Sequence, residues 1–273
     1  MIDIAKLNRS RVVERLAESV LETFGRTAPP IDVTAIASAE GVLLAPGDYG
    51  PNFFGRIEYH ASVRKFILYH PNLARGLPDY WVTRFSIAHE LGHYYIPDHR
   101  KLLIEGKEHS SAPGFVCENK LEREADLFAS VLLIPDSTAR RLWQKNQLSI
   151  KRILEIGAHC ETSAVAAGIR GARGSEETIV VVLSKASEIL FAAASEEAQA
   201  RRLAWISRDR VPDESPSAKA TRQNVANTTY EGRVSARIWY PAADAGLGCW
   251  EEAIRLGRSD LVLTLLVMDE EED

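Results

Sequence analysis

The segment Phe85-Ser-Ile-Ala-His-Glu-Leu-Gly-His-Tyr-Tyr-Ile96 constrains this chain more than any other. It contains His89-Glu90-Leu91-Gly92-His93, an HExxH. On a helix, positions i and i+4 share a face, so the two imidazoles reach one point. That pairing suits a zinc ion, and the Glu beside the first His is placed to act as general base. The neighbours Ile87, Ala88, Tyr94 and Tyr95 carry no charge, as a helix buried behind a metal requires. Gly92 is expected to remove bulk on the metal face.

A catalytic zinc needs a third protein ligand and one open position. The next helical stretch offers Glu118, Glu122, Glu124 and Asp126. Glu122 and Asp126 are four residues apart and share a face. The reading assigns Glu122 to the metal and Asp126 to one ligand imidazole, whose second nitrogen needs an acceptor. Glu118 and Glu124 are the runners-up, and one Zn2+ per chain is expected. Tyr94, Tyr95 and His99 are candidate donors to a developing oxyanion, against plainer readings as packed aromatics and a loop histidine. His109 has the same readings as His99, and either could instead be an extra metal ligand. Cys117 is either a thiolate zinc ligand acting as a latency switch or a small apolar residue near a helix start.

The 273 residues are enough to bury a core without staples. With 45% hydrophobic and 26% charged residues, the composition is globular and excludes a disordered, collagen-like or membrane-embedded chain. Five of the 38 acids form the terminal run Asp269 to Asp273; without them the remaining 33 equal the 33 bases. Bulk charge therefore makes no case for nucleic-acid binding. Three widely spaced cysteines with no CxxC suit reduced thiols in a cytosol. The N-terminus has no apolar signal core, and no apolar run approaches the ~20 residues of a membrane span. A cytoplasmic protein with no membrane partner is expected.

Periodicity predicts a mixed α+β chain. A helix over residues 8–24 ends at Gly25, and Asp32 caps a short helix, Val33 to Ala39. Strands follow at Val42–Leu44, Phe54–Tyr59 and Lys65–Tyr69. A helix, Trp81 to Ile96, stops at Pro97; residues 98–116 read as loop; Glu118 to Ile134 reads as a second long helix. Shorter helices are expected at Ser137–Gln144, Ile150–Ala158 and Ser163–Ile169, with a boundary near Arg170 to Ser175. Beyond it come a hairpin (Thr178–Leu183, Glu188–Ala192), a helix from Glu196 to Ile206 and a mobile loop over 207–228. Strands at Arg233–Tyr240 and Leu261–Met268 then flank a helix, Cys249–Leu256.

Four stretches carry a family resemblance. They are Pro29-Pro-Ile-Asp-Val33 with Ile36-Ala and Gly41-Val; Ile67-Leu-Tyr-His70; Arg84-Phe-Ser-Ile-Ala-His-Glu-Leu-Gly-His93; and Glu122-Arg-Glu-Ala-Asp-Leu-Phe-Ala-Ser-Val-Leu-Leu-Ile-Pro135. Together, over about residues 10–172, the chain resembles the ImmA/IrrE metallopeptidases, gluzincin-like HExxH enzymes. It departs from them at His70, where the family often has Asn, and in the long segment between His93 and Glu122. The resemblance implies zinc on His89, His93 and Glu122, with Glu90 as the base. It also implies three parts: a zincin-like metallopeptidase domain (1–136), a helix-turn-helix-like unit (137–174) and a C-terminal domain of mixed α and β structure (175–273), GAF-like in some relatives. The implied function is zinc-dependent cleavage of a protein substrate, an Xre-type helix-turn-helix repressor, in a stress, DNA-damage or mobile-element response. The strand Gly55 to Tyr59 would be the edge along which substrate pairs. Residues 137–174 hold Arg140, Arg141, Lys145, Lys151, Arg152, Arg170 and Arg173 against Glu155 and Glu161, a basic excess that suits either DNA contact or a structural bundle. The competing reading is a non-catalytic metal-containing regulator that binds DNA, a ligand or a partner protein.

Overall fold

The computed structural model describes residues 4–47, 55–71, 80–106, 120–142, 148–203, 206, 209–223, 225–257 and 260–269. Glu118, Cys117 and His109 lie outside them. The chain divides into two compact units, Met1–Thr138 with His159–Ser163 and Ala139–Ala158 with Ala164–Asp273.

The first unit opens with α1 (Ile4–Thr23), which buries Val13, Ala17, Val20 and Leu21 along one stripe and leaves Val12 exposed. Arg26 N–H donates to Leu21 O and Gly25 takes φ +60, a glycine C-cap that satisfies the last carbonyls. Helix α2 (Val33–Ala39) starts where the Asp32 carboxylate accepts from the Ala35 N–H at 2.9 Å. Strands β1 (Leu43–Pro46), β2 (Arg56–His60) and β3 (Lys65–His70) form a sheet of order β1-β3-β2. β1 runs parallel to β3, and β2 pairs antiparallel with Ile57 opposite Leu68. Within this sheet β2 is an edge.

Helix α3 (Tyr80–Tyr95) carries the HExxH and packs on β2, β3 and α5 (Lys120–Leu133). Between them, residues expected to be loop form α4 (Pro97–Ile104). Pro97 ends α3 but also starts α4. Ile96 is extended, as a residue before proline prefers, and proline at a helix's first position loses no hydrogen bond. Helix α1 lies on α5. Helix α6 (Asp136–Leu142) follows.

The second unit contains most of α7 (Ile150–Cys160), then α8 (Ala164–Gly174), β4 (Ile179–Lys185), β5 (Glu188–Ala194), α9 (Glu196–Ala200), α10 (Pro216–Gln223), β6 (Thr229–Ser235), β7 (Gly248–Arg255) and β8 (Leu261–Met268). The strands make an antiparallel sheet of order β5-β4-β8-β7-β6. β4 is buried over its first six residues because both faces are covered. Gly168 of α8 lets Val181 pack close on one side, while Val180 and Val182 join Trp239 in the core on the other.

Four expectations fail here. Cys249 to Leu256 is not a helix; it falls on a central strand, β7, whose pairing with β6 and β8 outweighs local propensity. Residues 207–228 are not simply loop, because α10 starts at Pro216 with Ser215 Oγ accepting from the Ala218 N–H at 3.1 Å. The helix expected to reach Ile206 ends at Ala200, where Arg202 takes φ +59. The strand expected at Arg233–Tyr240 ends at Ser235 and gives way to a 3-10 turn, Ala236–Ile238.

Candidate metal centre

Helices α3 and α5 meet closely because small residues face each other. A Cβ on Gly92 would stand 3.1 Å from Ala125 Cα and 3.2 Å from Ala125 O. The missing side chain therefore makes room for the α5 backbone, not for the metal as expected. This approach brings Glu122, on the first turn of α5, to the two histidines of α3.

His89, His93 and Glu122 are all buried and form the one such ligand group among the described residues. The two Nε2 atoms are 3.1 Å apart, His89 Nε2 lies 3.2 Å from Glu122 Oε2, and His93 Nε2 lies 3.5 Å from Glu122 Oε1. Zinc bonds to N and O run about 2.0–2.2 Å, so a tetrahedral site needs ligand atoms roughly 3.3–3.6 Å apart. The triangle is within a few tenths of an ångström of that, and its donor set of two imidazoles and a carboxylate is one that zinc takes. The residues present fit the ion.

The nitrogens turned away from this triangle are also engaged. His89 Nδ1 is 2.8 Å from Asp126 Oδ1, one turn beyond Glu122 on α5. His93 Nδ1 is 3.1 Å from His99 Nδ1, and His99 Nε2 is 3.2 Å from Glu124 Oε2. Burial works against a charge on His89. Hydrogen bonds to Asp126 and Glu122 and the nearby Glu90 outweigh it and raise the group to about 10. In the metal-free protein a proton thus stands among these carboxylates where the ion's charge would otherwise be.

Glu90 is buried beside the triangle, and its Oε2 accepts from the Ile57 N–H at 3.0 Å. Ile57 lies on the edge strand β2, so this N–H points off the sheet towards α3. Gly55 makes the approach possible, since a Cβ there would lie 3.3 Å from Glu90 Cγ. Arg84, one turn before His89, is also buried and donates to Ile31 O at 2.8 Å and Glu161 O at 3.2 Å. It ties the first half of α3 to two distant segments of its own unit.

Tyr94, Tyr95 and His99 each meet other partners in the structure. The Tyr94 hydroxyl donates to Glu40 at 3.0 Å and its ring meets Phe66 edge-on, while Tyr95 stacks on Phe128. His99 sits behind His93, on the side opposite the triangle. Neither Arg9 nor Ile57 was marked by sequence reasoning. Arg9 donates through Nε and Nη2 to Glu124 Oε2 at 3.0 and 2.8 Å, 115 positions away, and no local pattern encodes such a contact.

No helix among the described residues is long and apolar enough to cross a membrane. Residues 54–170 match the model of the IrrE N-terminal-like domain family. The chain is similar to Metallopeptidase ImmA of Bacillus subtilis (strain 168), 27% identical over 128 residues, which span 46% of this chain and 66% of that protein. A Mycobacterium tuberculosis transcriptional regulator of known structure shares the fold, with a TM-score of 0.59 over 94% of this chain and 75% of that one at 14% identity. Through residues 54–170, with two histidines and a glutamate in metal-holding geometry, the chain is similar to the IrrE N-terminal-like domain family and to a metallopeptidase.

Proposed function

We propose that this chain is a zinc-dependent endopeptidase. The observation that carries the reading is the His89, His93 and Glu122 triangle with the Glu90 carboxylate buried beside it on the edge of β2. Zinc, when bound there, supplies Lewis-acid polarisation of the scissile carbonyl and activation of water. The chain supplies the rest. Asp126 accepts the Nδ1 proton of His89 and so keeps its Nε2 lone pair facing the ion. Glu90 receives the proton of the attacking water on its carboxylate and passes it to the departing amine nitrogen. To do so it exchanges the Ile57 N–H for the water. An extended substrate adding to β2 takes up that N–H, which couples substrate docking to release of the base.

The resemblance to ImmA/IrrE metallopeptidases supports an Xre-type helix-turn-helix repressor as the substrate, whose cleavage would relieve repression in a stress, DNA-damage or mobile-element response in the cytoplasm. On this reading residues 1–136 are the peptidase domain, 137–174 a helix-turn-helix-like unit and 175–273 a sensor domain of GAF type. A second reading has one observation in its favour: a solved structure that shares this fold is a transcriptional regulator. In that case the metal is structural and the chain binds DNA, a ligand or a partner without cutting it.

Glu90→Gln separates the two. The variant keeps all three ligands, so its zinc content by elemental analysis stays near one per chain. Cleavage of an Xre-type repressor by the metal-loaded protein falls by about 10²–10⁴-fold, the usual share of a general base. His89→Ala loses both metal and cleavage. Full derepression in cells by Glu90→Gln at normal abundance would sink the protease reading and favour the regulator.

A further inference from the structure

Both ligand imidazoles are held from behind, but by different groups. Asp126, partly exposed, holds His89. His93 is held by a ring nitrogen, Nδ1 of His99, at 3.1 Å, and both rings are buried. A ring nitrogen can donate or accept, so the pair alone does not say which way the proton lies. The groups beyond His99 settle it. Arg9 can only donate, and it gives two hydrogen bonds to Glu124 Oε2. An oxygen that takes two hydrogen bonds from a guanidinium carries no proton itself, so Glu124 Oε2 is an acceptor. The same oxygen is 3.2 Å from His99 Nε2, which must therefore carry its proton there. In its neutral tautomer His99 then has a lone pair on Nδ1, directed at His93 Nδ1. His93 then donates from Nδ1 and presents its Nε2 lone pair to the triangle.

We infer that His99, backed by Glu124 and Arg9, is a positioning residue that fixes the tautomer and ring orientation of the ligand His93, so that helix α1 takes part in holding the metal. The inference rests on the metal reading of the triangle. It takes no part in proton transfer, which belongs to Glu90. Outer partners of ligand histidines typically contribute 10–100-fold in metal affinity.

The experiment measures zinc affinity of the full chain by competition with a chromophoric chelator, with circular dichroism as the check on folding. His99→Phe keeps a flat ring and removes the acceptor; its affinity should fall about 10–100-fold. His99→Asn places Oδ1 where Nδ1 stood, and should stay within about threefold of the wild type, since the acceptor is kept. A merely structural role would spare the phenylalanine variant at least as well as the asparagine one. Long-range 15N–1H NMR of the unmutated, zinc-loaded protein needs no variant to fold, and should find His99 protonated on Nε2 alone. A His99 proton on Nδ1, or undiminished affinity in folded His99→Phe beside a zinc-binding wild type, would overturn this inference and leave the metal reading standing. A wild type that takes up no zinc would overturn both.

Discussion

At the scale of single residues, the site depends on absent atoms as much as on present ones. Gly92 has no Cβ, and this sets how near Glu122 comes to His89 and His93. In Gly92→Ala the new methyl meets backbone of α5, which cannot swing aside as a side chain could. The expected result is a loss of about 1–3 kcal/mol in denaturant unfolding, as overpacked helix contacts show. Zinc affinity should fall with it, although no ligand has changed. Stability equal to the wild type would show that the helices part freely. That His89 and His93 share one face was legible in the sequence, because four-residue spacing is a property of the helix alone. His99 was noticed but misplaced, and Arg9 was missed altogether. Each owes its role to a partner brought near only by the tertiary fold.

Among the elements, the boundaries that sequence located best are those with a chemical cap: Asp32 before α2, Gly25 after α1. Those it lost are elements whose identity is set by neighbours. β7 is the clearest case. Its window Cys-Trp-Glu-Glu-Ala-Ile-Arg has charges at helical spacing, yet Glu251 is fully buried in the sheet. There it accepts from the Ser217 N–H at 2.8 Å and from Trp239 Nε1 at 2.8 Å, pinning α10 to the strand. Burial raises this carboxyl above its ordinary value, and the hydrogen bonds only partly offset that. A raised acid favours the native state while protonated. Its benefit is present at low pH and is lost as pH rises from the unfolded value through the folded one. Gln cannot ionise, so the melting temperature of Glu251→Gln relative to wild type should become more favourable between pH 4.5 and pH 8. A difference that stays constant over that range would mean the carboxyl does not titrate as the burial requires.

For the molecule as a whole, the α+β character was legible because the helical and two-residue periodicities sit in separate stretches. The two sheets share no strand. Zinc should therefore act on one unit at a time. Hydrogen exchange followed with and without the ion should show slowing in α3 and α5, whose ends carry the ligands, since a ligand bound only by the native state suppresses local opening. The amides of β4 and β8 should exchange unchanged, and equal slowing there would show that the units open together. The path of the chain adds a constraint on modularity. The first unit does not end at Thr138, because His159–Ser163 return to it and supply the Cys160 and Glu161 carbonyls to the buried Arg84 guanidinium. Recombination between genes that joined a new partner at residue 139 would leave that guanidinium with Ile31 O but without the Cys160 and Glu161 acceptors. One that joined after residue 163 would carry the whole support along. The metal-holding unit is thus inherited with the helices that follow it, and natural fusions of this type should have their seams downstream of Ser163.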